Sequence, residues 1–338
     1  MYKLALGGSW GFRLGLVTEI IAIWDSLDYF TVMETSQASG GVGAGRTAAT
    51  MGIVTFIAIL IAVGCDSERP PSGEVVVAAG DIADCTSDDD AATAGLVEGM
   101  QGTVLALGDN AYPRGSAEDY ADCYGPTWGR FKGRTRPVPG NHEYYTEGAE
   151  GYFGYFGEAA GEPGEGYYSY DLGEWHIVAL NSNCREVNCG PASPQTRWLE
   201  EDLAANDEGR CTLAYMHHPR FSSGEKHGST AGGVEQLWEV LYEAGAEAVL
   251  SGHEHNYERF APQDPEGAAD PEGGIRQFVV GTGGGKAGYP IVDPIANSEA
   301  HTDADGVLRL TLRPEGYEWR FVPVEGESFT DSGSASCH

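Results

Sequence analysis

The sequence predicts an α/β fold, and three observations carry that prediction. From Glu74 onward, short β-branched runs alternate with segments of helical character. Five apolar runs end almost directly on a polar residue, at Asp81, Asp109, Asn141, His217 and His253. In an α/β sheet the carboxyl ends of the strands gather along one edge, where sites are built, and polar residues scattered at random would not keep that phase.

The elements follow in order. Glu74–Gly80 reads as a strand ending at Asp81, residues 90–100 as a helix, and Thr103–Leu107 as a second buried strand before Gly108-Asp109. Pro137 and Pro139 favour an extended entry to Gly140-Asn141, where Gly140 permits an unusual backbone. Tyr167–Tyr170 and Trp175–Leu180 flank Asp171–Glu174 as a hairpin. Ser193 caps and Pro194 opens a helix running to about Asn206. Cys211–Met216 is a strand ending at His217, and Val234–Ala244 is an amphipathic helix closed by Gly245. Ala248–Leu250 is a strand leading to Gly252-His253. Ile275–Val280, Val307–Leu312 and Tyr317–Val324 read as closing antiparallel strands. No internal repeat is seen.

The totals bound the function. The 338 residues are 41% hydrophobic and 10% aromatic, enough for a packed globule. With 51 acidic against 20 basic residues the net charge is −31, which argues against nucleic acid or an anionic membrane surface as partner. A phosphorylated substrate would be repelled by the global field, so attraction must be local.

Residues 1–50 read as an uncertain extension, since Met51 would be a more ordinary start. The apolar run 51–65 has the length of a signal-peptide core rather than a comfortable membrane span. Ala62-Val63-Gly64-Cys65 resembles a bacterial lipoprotein cleavage box, in which Cys65 would carry lipid and tether the protein to a membrane. Residues 66–73 read as the tether, 74–325 as the main domain and 326–338 as a tail. Export agrees with the cysteines. Setting Cys65 aside leaves six, which suggests disulfides and allows 15 pairings. Cys184 and Cys189 are close enough to close a small loop; the other four then allow three pairings, of which Cys85 with Cys123 and Cys211 with Cys337 is the guess taken.

The chemistry lies in the residues that end the runs. Gly252-His253-Glu254-His255 is preceded by His217, by Gly140-Asn141-His142-Glu143, by Gly108-Asp109-Asn110-Ala111-Tyr112 and by Gly80-Asp81. Each block alone is an ordinary turn signal. Together they supply two Asp, one Tyr, one Asn and three His, a mixed oxygen and nitrogen set suited to Fe, Zn or Mn. Gly281-Thr282-Gly283-Gly284-Gly285-Lys286 is no P-loop, because Val280 and Ala287 stand where that motif needs Gly and Ser or Thr. It reads as a tight loop after a strand.

These blocks, across residues 74–285, resemble the calcineurin-like metallophosphoesterase superfamily and, within it, the purple acid phosphatase branch. The superfamily's usual Gly-Asp-x-His is broken at Ala83, where the branch also lacks that His and uses a Tyr three residues after the second Asp; Tyr112 stands there. The resemblance implies two packed mixed sheets flanked by helices. It implies that Asp81, Asp109, Tyr112 and His255 hold Fe(III), with Asp109 bridging. Asn141, His217 and His253 would hold a divalent Fe, Zn or Mn. It sets His142 and His227 beside the substrate phosphate, as groups that stabilise the phosphoryl charge or protonate the leaving alkoxide. His218 matches a variable position, and His176 reads as a structural residue inside a strand.

The expected function is an exported binuclear metal-dependent phosphatase acting on small phosphomonoesters, with hydroxide as nucleophile. A phosphodiesterase of the same superfamily and a phosphate-binding surface lipoprotein are the competing readings.

Overall fold

Val75, Val76 and Val77 are β-branched, and with the apolar Ala78 and Ala79 they form strand β1 (Glu74–Ala79), buried from Val76 onward. The computed structural model describes residues 73–206, 209–285 and 288–338. These residues belong to one unit, assigned as Cys65–His338. The extension 1–50, the signal-like run 51–65 with Cys65, and all of the tether but Gly73 lie outside them.

Helix α1 (Asp89–Glu98) follows β1, and β2 (Thr103–Ala106) returns parallel to it, pairing Val77 with Val104. A run of short helical turns, among them α2 (Ala117–Asp119), leads to β3 (Thr135–Pro137), parallel to β2. Helix α3 (Glu150–Phe156) precedes the hairpin of β4 (Tyr168–Leu172) and β5 (Trp175–Ala179). Ser193 caps α4 (Pro194–Ala205) by accepting from the Thr196 amide, with Pro194 at its first turn. Then come β6 (Cys211–Tyr215), α5 (Val234–Glu243), β7 (Ala248–Ser251), β8 (Tyr257–Phe260), β9 (Arg276–Val280), β10 (Ser298–Thr302), β11 (Gly306–Arg313), β12 (Gly316–Pro323) and β13 (Ser332–Ser336).

The strands form two mixed sheets. The first runs β13-β12-β11-β1-β2-β3, and the second β10-β8-β9-β7-β6-β5-β4. Alternation along β5 sets the layers. Ile177 and Ala179 pack into the core that joins both sheets, while Val178 and Leu180 pack outward with Leu199 of α4 and Trp238 of α5. Ala94 and Val97 of α1 join the core of the first sheet. This is the α/β sandwich of two sheets flanked by helices that the sequence predicts.

One strand departs from expectation. β9 is not solely an antiparallel closing strand; it lies inside the second sheet, antiparallel to β8 as expected but parallel to β7. Its buried Phe278, Val279 and Val280 alternate between the two cores, which a central strand requires. The short strands β8, β10 and β13 carry too few alternating residues to announce themselves.

Candidate metal centre

The parallel strands of both sheets point their carboxyl ends at one place. β1, β2 and β3 of the first sheet are followed by Asp81, Asp109 and Asn141; β6 and β7 of the second are followed by His217 and by His253 and His255. Asp81, Asp109 and His253 hold left-handed backbone, with φ of 58, 48 and 71°. Such a conformation costs a non-glycine residue about 1–2 kcal/mol and persists where the surroundings enforce it. Here Asp81 donates its amide to the Gly108 carbonyl at 3.0 Å, and the His253 amide donates to Asp81 Oδ2 at 2.8 Å. Gly140 serves a purpose other than the expected unusual backbone. A Cβ there would lie 2.1 Å from Asp109 Oδ1, so close approach of the two loops is what demands glycine.

Two knots of polar atoms result. In the first, Tyr112 Oη lies 2.9 Å from Asp81 Oδ1, 3.2 Å from Asp109 Oδ2 and 3.3 Å from His255 Nε2. In the second, His217 Nε2 lies 3.2 Å from Asn141 Oδ1, 3.2 Å from His253 Nδ1 and 3.4 Å from Asp109 Oδ1. Asp109 takes part in both. His217 Nδ1 sits 2.9 Å from the Leu107 carbonyl, which can only accept, so Nδ1 carries a proton.

The residues fit a pair of metal cations. Each knot gathers several lone-pair donors around one protonable atom, and one proton there serves only one of them, whereas a cation serves all. The electrostatics agree. Burial pulls the His217 imidazole down, yet Asp109 outweighs it and lifts the ring to about 9, so the pocket favours positive charge at that point. Burial, then Asp81 and Asp109, push the Tyr112 hydroxyl well above tyrosine's ordinary value, so a phenolate forms there only against a strong cation. The ligand atoms of Asp81, Asp109 and His217 all lie within 4.8 Å of one another.

His142 and His227 line the mouth of a 240 Å³ cavity over this centre, with Lys226, Tyr145 and Tyr289. His142 Nδ1 lies 2.7 Å from the Pro113 carbonyl and must donate to it, which turns Nε2 toward the centre, 3.8 Å from Asp109 Oδ2. The His227 ring is tilted against His253 at 4.2 Å, and burial holds its imidazole below the ordinary histidine value. Tyr289 stacks on His255 at 4.8 Å, and Lys226 reaches its hydroxyl. His218 packs on His253 and holds Nδ1 2.8 Å from Ser182 Oγ. His176 is held between Asp171 and Asp202, as a structural residue should be.

Sequence reasoning quoted two of the supporting residues without assigning them work. Buried Glu143 accepts the amides of Asp109 at 3.0 Å, Asn110 at 2.9 Å and Gly140 at 2.6 Å, stitching two ligand loops together. Buried Glu254 accepts the amides of His227 and Gly228, each at 2.6 Å, and so anchors the His227 loop. Their signal was a carboxylate beside each ligand inside a motif. The glycine loop after β9 also proves supportive: Gly283 and Gly285 donate to the carbonyls of Gly80 and Asp81. Lys226, Tyr145 and Tyr289 lie outside any motif and left no signal.

Disulfides join Cys85 to Cys123, Cys184 to Cys189 and Cys211 to Cys337, the pairs that the cysteine reading arrived at. They fit an oxidising compartment, which is consistent with export. Among the described residues no helix is long and apolar enough to cross a membrane.

A sequence profile of the calcineurin-like phosphoesterases matches residues 55–257. Purple acid phosphatase 15 of Arabidopsis thaliana is 28% identical over 268 residues, covering 68% of this chain and 48% of the plant protein. Purple acid phosphatase 21 of the same plant is 31% identical over 218 residues, covering 56% of this chain and 48% of its own. Among solved structures, the purple acid phosphatase PPD1 of yellow lupin (Lupinus luteus) seeds matches with a TM-score of 0.63 at 19% identity, covering 78% of this chain and 54% of that one. The last is a likeness of fold. The chain spans about half the length of the curated relatives it matches.

Proposed function

The chain belongs to the calcineurin-like phosphoesterase family, and from that membership we propose that it is an exported phosphatase that hydrolyses phosphomonoesters at a two-metal centre. The observation that carries the reading is the pair of knots around Tyr112 Oη and His217 Nε2, each short of protons and rich in metal-type donors. Asp81, Asp109, Tyr112 and His255 would hold Fe(III), while Asn141, His217 and His253, together with Asp109, would hold a divalent Fe, Zn or Mn. When bound, such ions supply Lewis acidity to phosphoryl oxygens and make hydroxide available near neutral pH.

The chain's own residues do the rest. His142, with Nδ1 committed to Pro113, offers Nε2 to a phosphoryl oxygen or to the departing alkoxide. His227, anchored through Glu254, acts from the other side of the mouth. Lys226 gives local positive charge in a chain of net charge −31. Tyr145 and Tyr289 narrow the opening and limit water. The disulfides support an exported location, outside the cell, in the periplasm, or tethered through lipid on Cys65.

The test is hydrolysis of p-nitrophenyl phosphate against bis-p-nitrophenyl phosphate by purified protein of measured metal content. Faster release from the monoester supports the proposal. Preference for the diester moves the chain to phosphodiesterase work, and no release from either after metal addition removes catalysis.

A further inference from the structure

A second cavity, of 460 Å³, opens beside the metal centre and shares Asn141 and Tyr145 with the cavity above it. We propose that it is the leaving-group subsite, shaped for neutral, ring-bearing alcohols of about nucleoside size; this rests on the phosphatase reading above.

Position is the first argument. His218 lines this cavity and packs its ring 4.4 Å from that of His253, which lines the cavity over the centre, so at this point only two packed imidazoles separate the two spaces. An ester whose phosphoryl group occupies the centre has this space beside it for its alcohol.

Rigidity is the second. One wall is the loop closed by the Cys184–Cys189 disulfide. The facing wall meets it at Gly233, whose φ is +95° and where a Cβ would lie 2.8 Å from Cys184 Sγ. Asn183 Nδ2 donates to the Pro139 carbonyl at 3.0 Å, and Asn181 Nδ2 donates to Tyr144 Oη at 2.8 Å. The cavity is thus built before anything enters it, which lowers the entropy cost of binding.

The lining selects the occupant. Tyr144, Tyr145 and His218 offer ring faces, and Asn183 and Thr230 offer polar edges. Only Ala231 and Val234 are aliphatic, which disfavours a long alkyl chain. Arg185 and Glu186 both line the cavity, one cationic and one anionic side chain with no net formal charge, so no second anionic group is called for.

The test compares kcat/KM for adenosine 5′-monophosphate with that for glycerol 3-phosphate. The wild type is expected to favour the nucleotide by about tenfold or more, and Thr230→Trp, which fills the cavity, to bring that ratio down by about tenfold. Circular dichroism checks folding, and Ala231→Phe replaces Thr230→Trp if the latter fails to fold. A wild-type ratio near one, or a ratio that both fillings leave unaltered, overturns the subsite while leaving the phosphatase intact. Phosphate release from neither ester by wild-type protein overturns the phosphatase reading, and the subsite with it.

Discussion

A methyl group on Gly140 would lie 2.1 Å from Asp109 Oδ1 and 2.3 Å from the Asp109 amide nitrogen. The loops after β2 and β3 therefore meet with no room for one carbon, at the carboxylate that faces both halves of the centre. Gly140→Ala is expected to push these loops apart, destabilising the protein by about 1–3 kcal/mol as overpacking does. Metal content should fall below that of wild type. Thermal unfolding and elemental analysis check it, and an unchanged metal content would show that the loops can yield.

Asp109 and His217 form one of the contacts between the two sheets, with Asp109 Oδ1 3.4 Å from His217 Nε2. Loss of an outer partner of a metal site typically costs 10–100-fold, and loss of a ligand should cost more. Asp109→Ala and His217→Ala are each expected to fall below about one-hundredth of wild-type turnover. Near-normal rates on p-nitrophenyl phosphate in either variant would sink the assignment.

Tyr112 answers a different question, because its hydroxyl is held protonated by burial and by two aspartates unless a strong cation intervenes. Ferric iron bound to the phenolate gives a visible absorption band, and Tyr112→Phe is expected to abolish that band. A colourless, active wild-type enzyme would remove Fe(III) and leave Mn or Zn.

The cluster of candidate ligands was legible because Asp81, Asp109, Asn141, His217 and His253 each come just after a strand end, and that phase survives in the sequence as an apolar run ending on a polar residue. The site's supports were not. Glu143 and Glu254 stand inside the motifs, but the backbone amides they accept are set by the fold and not by the motif, and Lys226 and Tyr289 meet only through folding. The closing strands were legible as strands but not by sheet. β9 lies between β7 and β8 in the second sheet while β11 and β12 belong to the first, and an apolar run such as Phe278–Val280 does not encode its neighbour.

Glu254 is a positioning residue with a separable readout. Its Oε1 accepts two amides of the loop that carries His227, and a neutral amide would hold that loop more weakly. Glu254→Gln is expected to lower kcat by about 10–100-fold. Its own contacts are to the loop, so metal content should stay at the wild-type level. Loss of metal instead would mean that Glu254 supports the centre through His253 and His255.

His176 lets a prediction be made away from the centre. On β5 its Nδ1 lies 3.1 Å from Asp171 of β4, and its Nε2 lies 2.8 Å from Asp202 of α4; Arg210 pairs with the other Asp171 oxygen at 2.5 Å. Burial lowers the imidazole, but the two carboxylates outweigh it and leave the ring above the ordinary histidine value. A folded-state value raised in this way gives stability that is fully present below about pH 6.5 and is lost as pH rises through the raised value. His176→Gln removes the charge, so its stability deficit relative to wild type should be larger near pH 5.5 than near pH 9. Thermal unfolding of both proteins at the two pH values checks this. A deficit that grows toward alkaline pH would mean that the ring is neutral in the fold, and that Arg210 carries the pairing with Asp171.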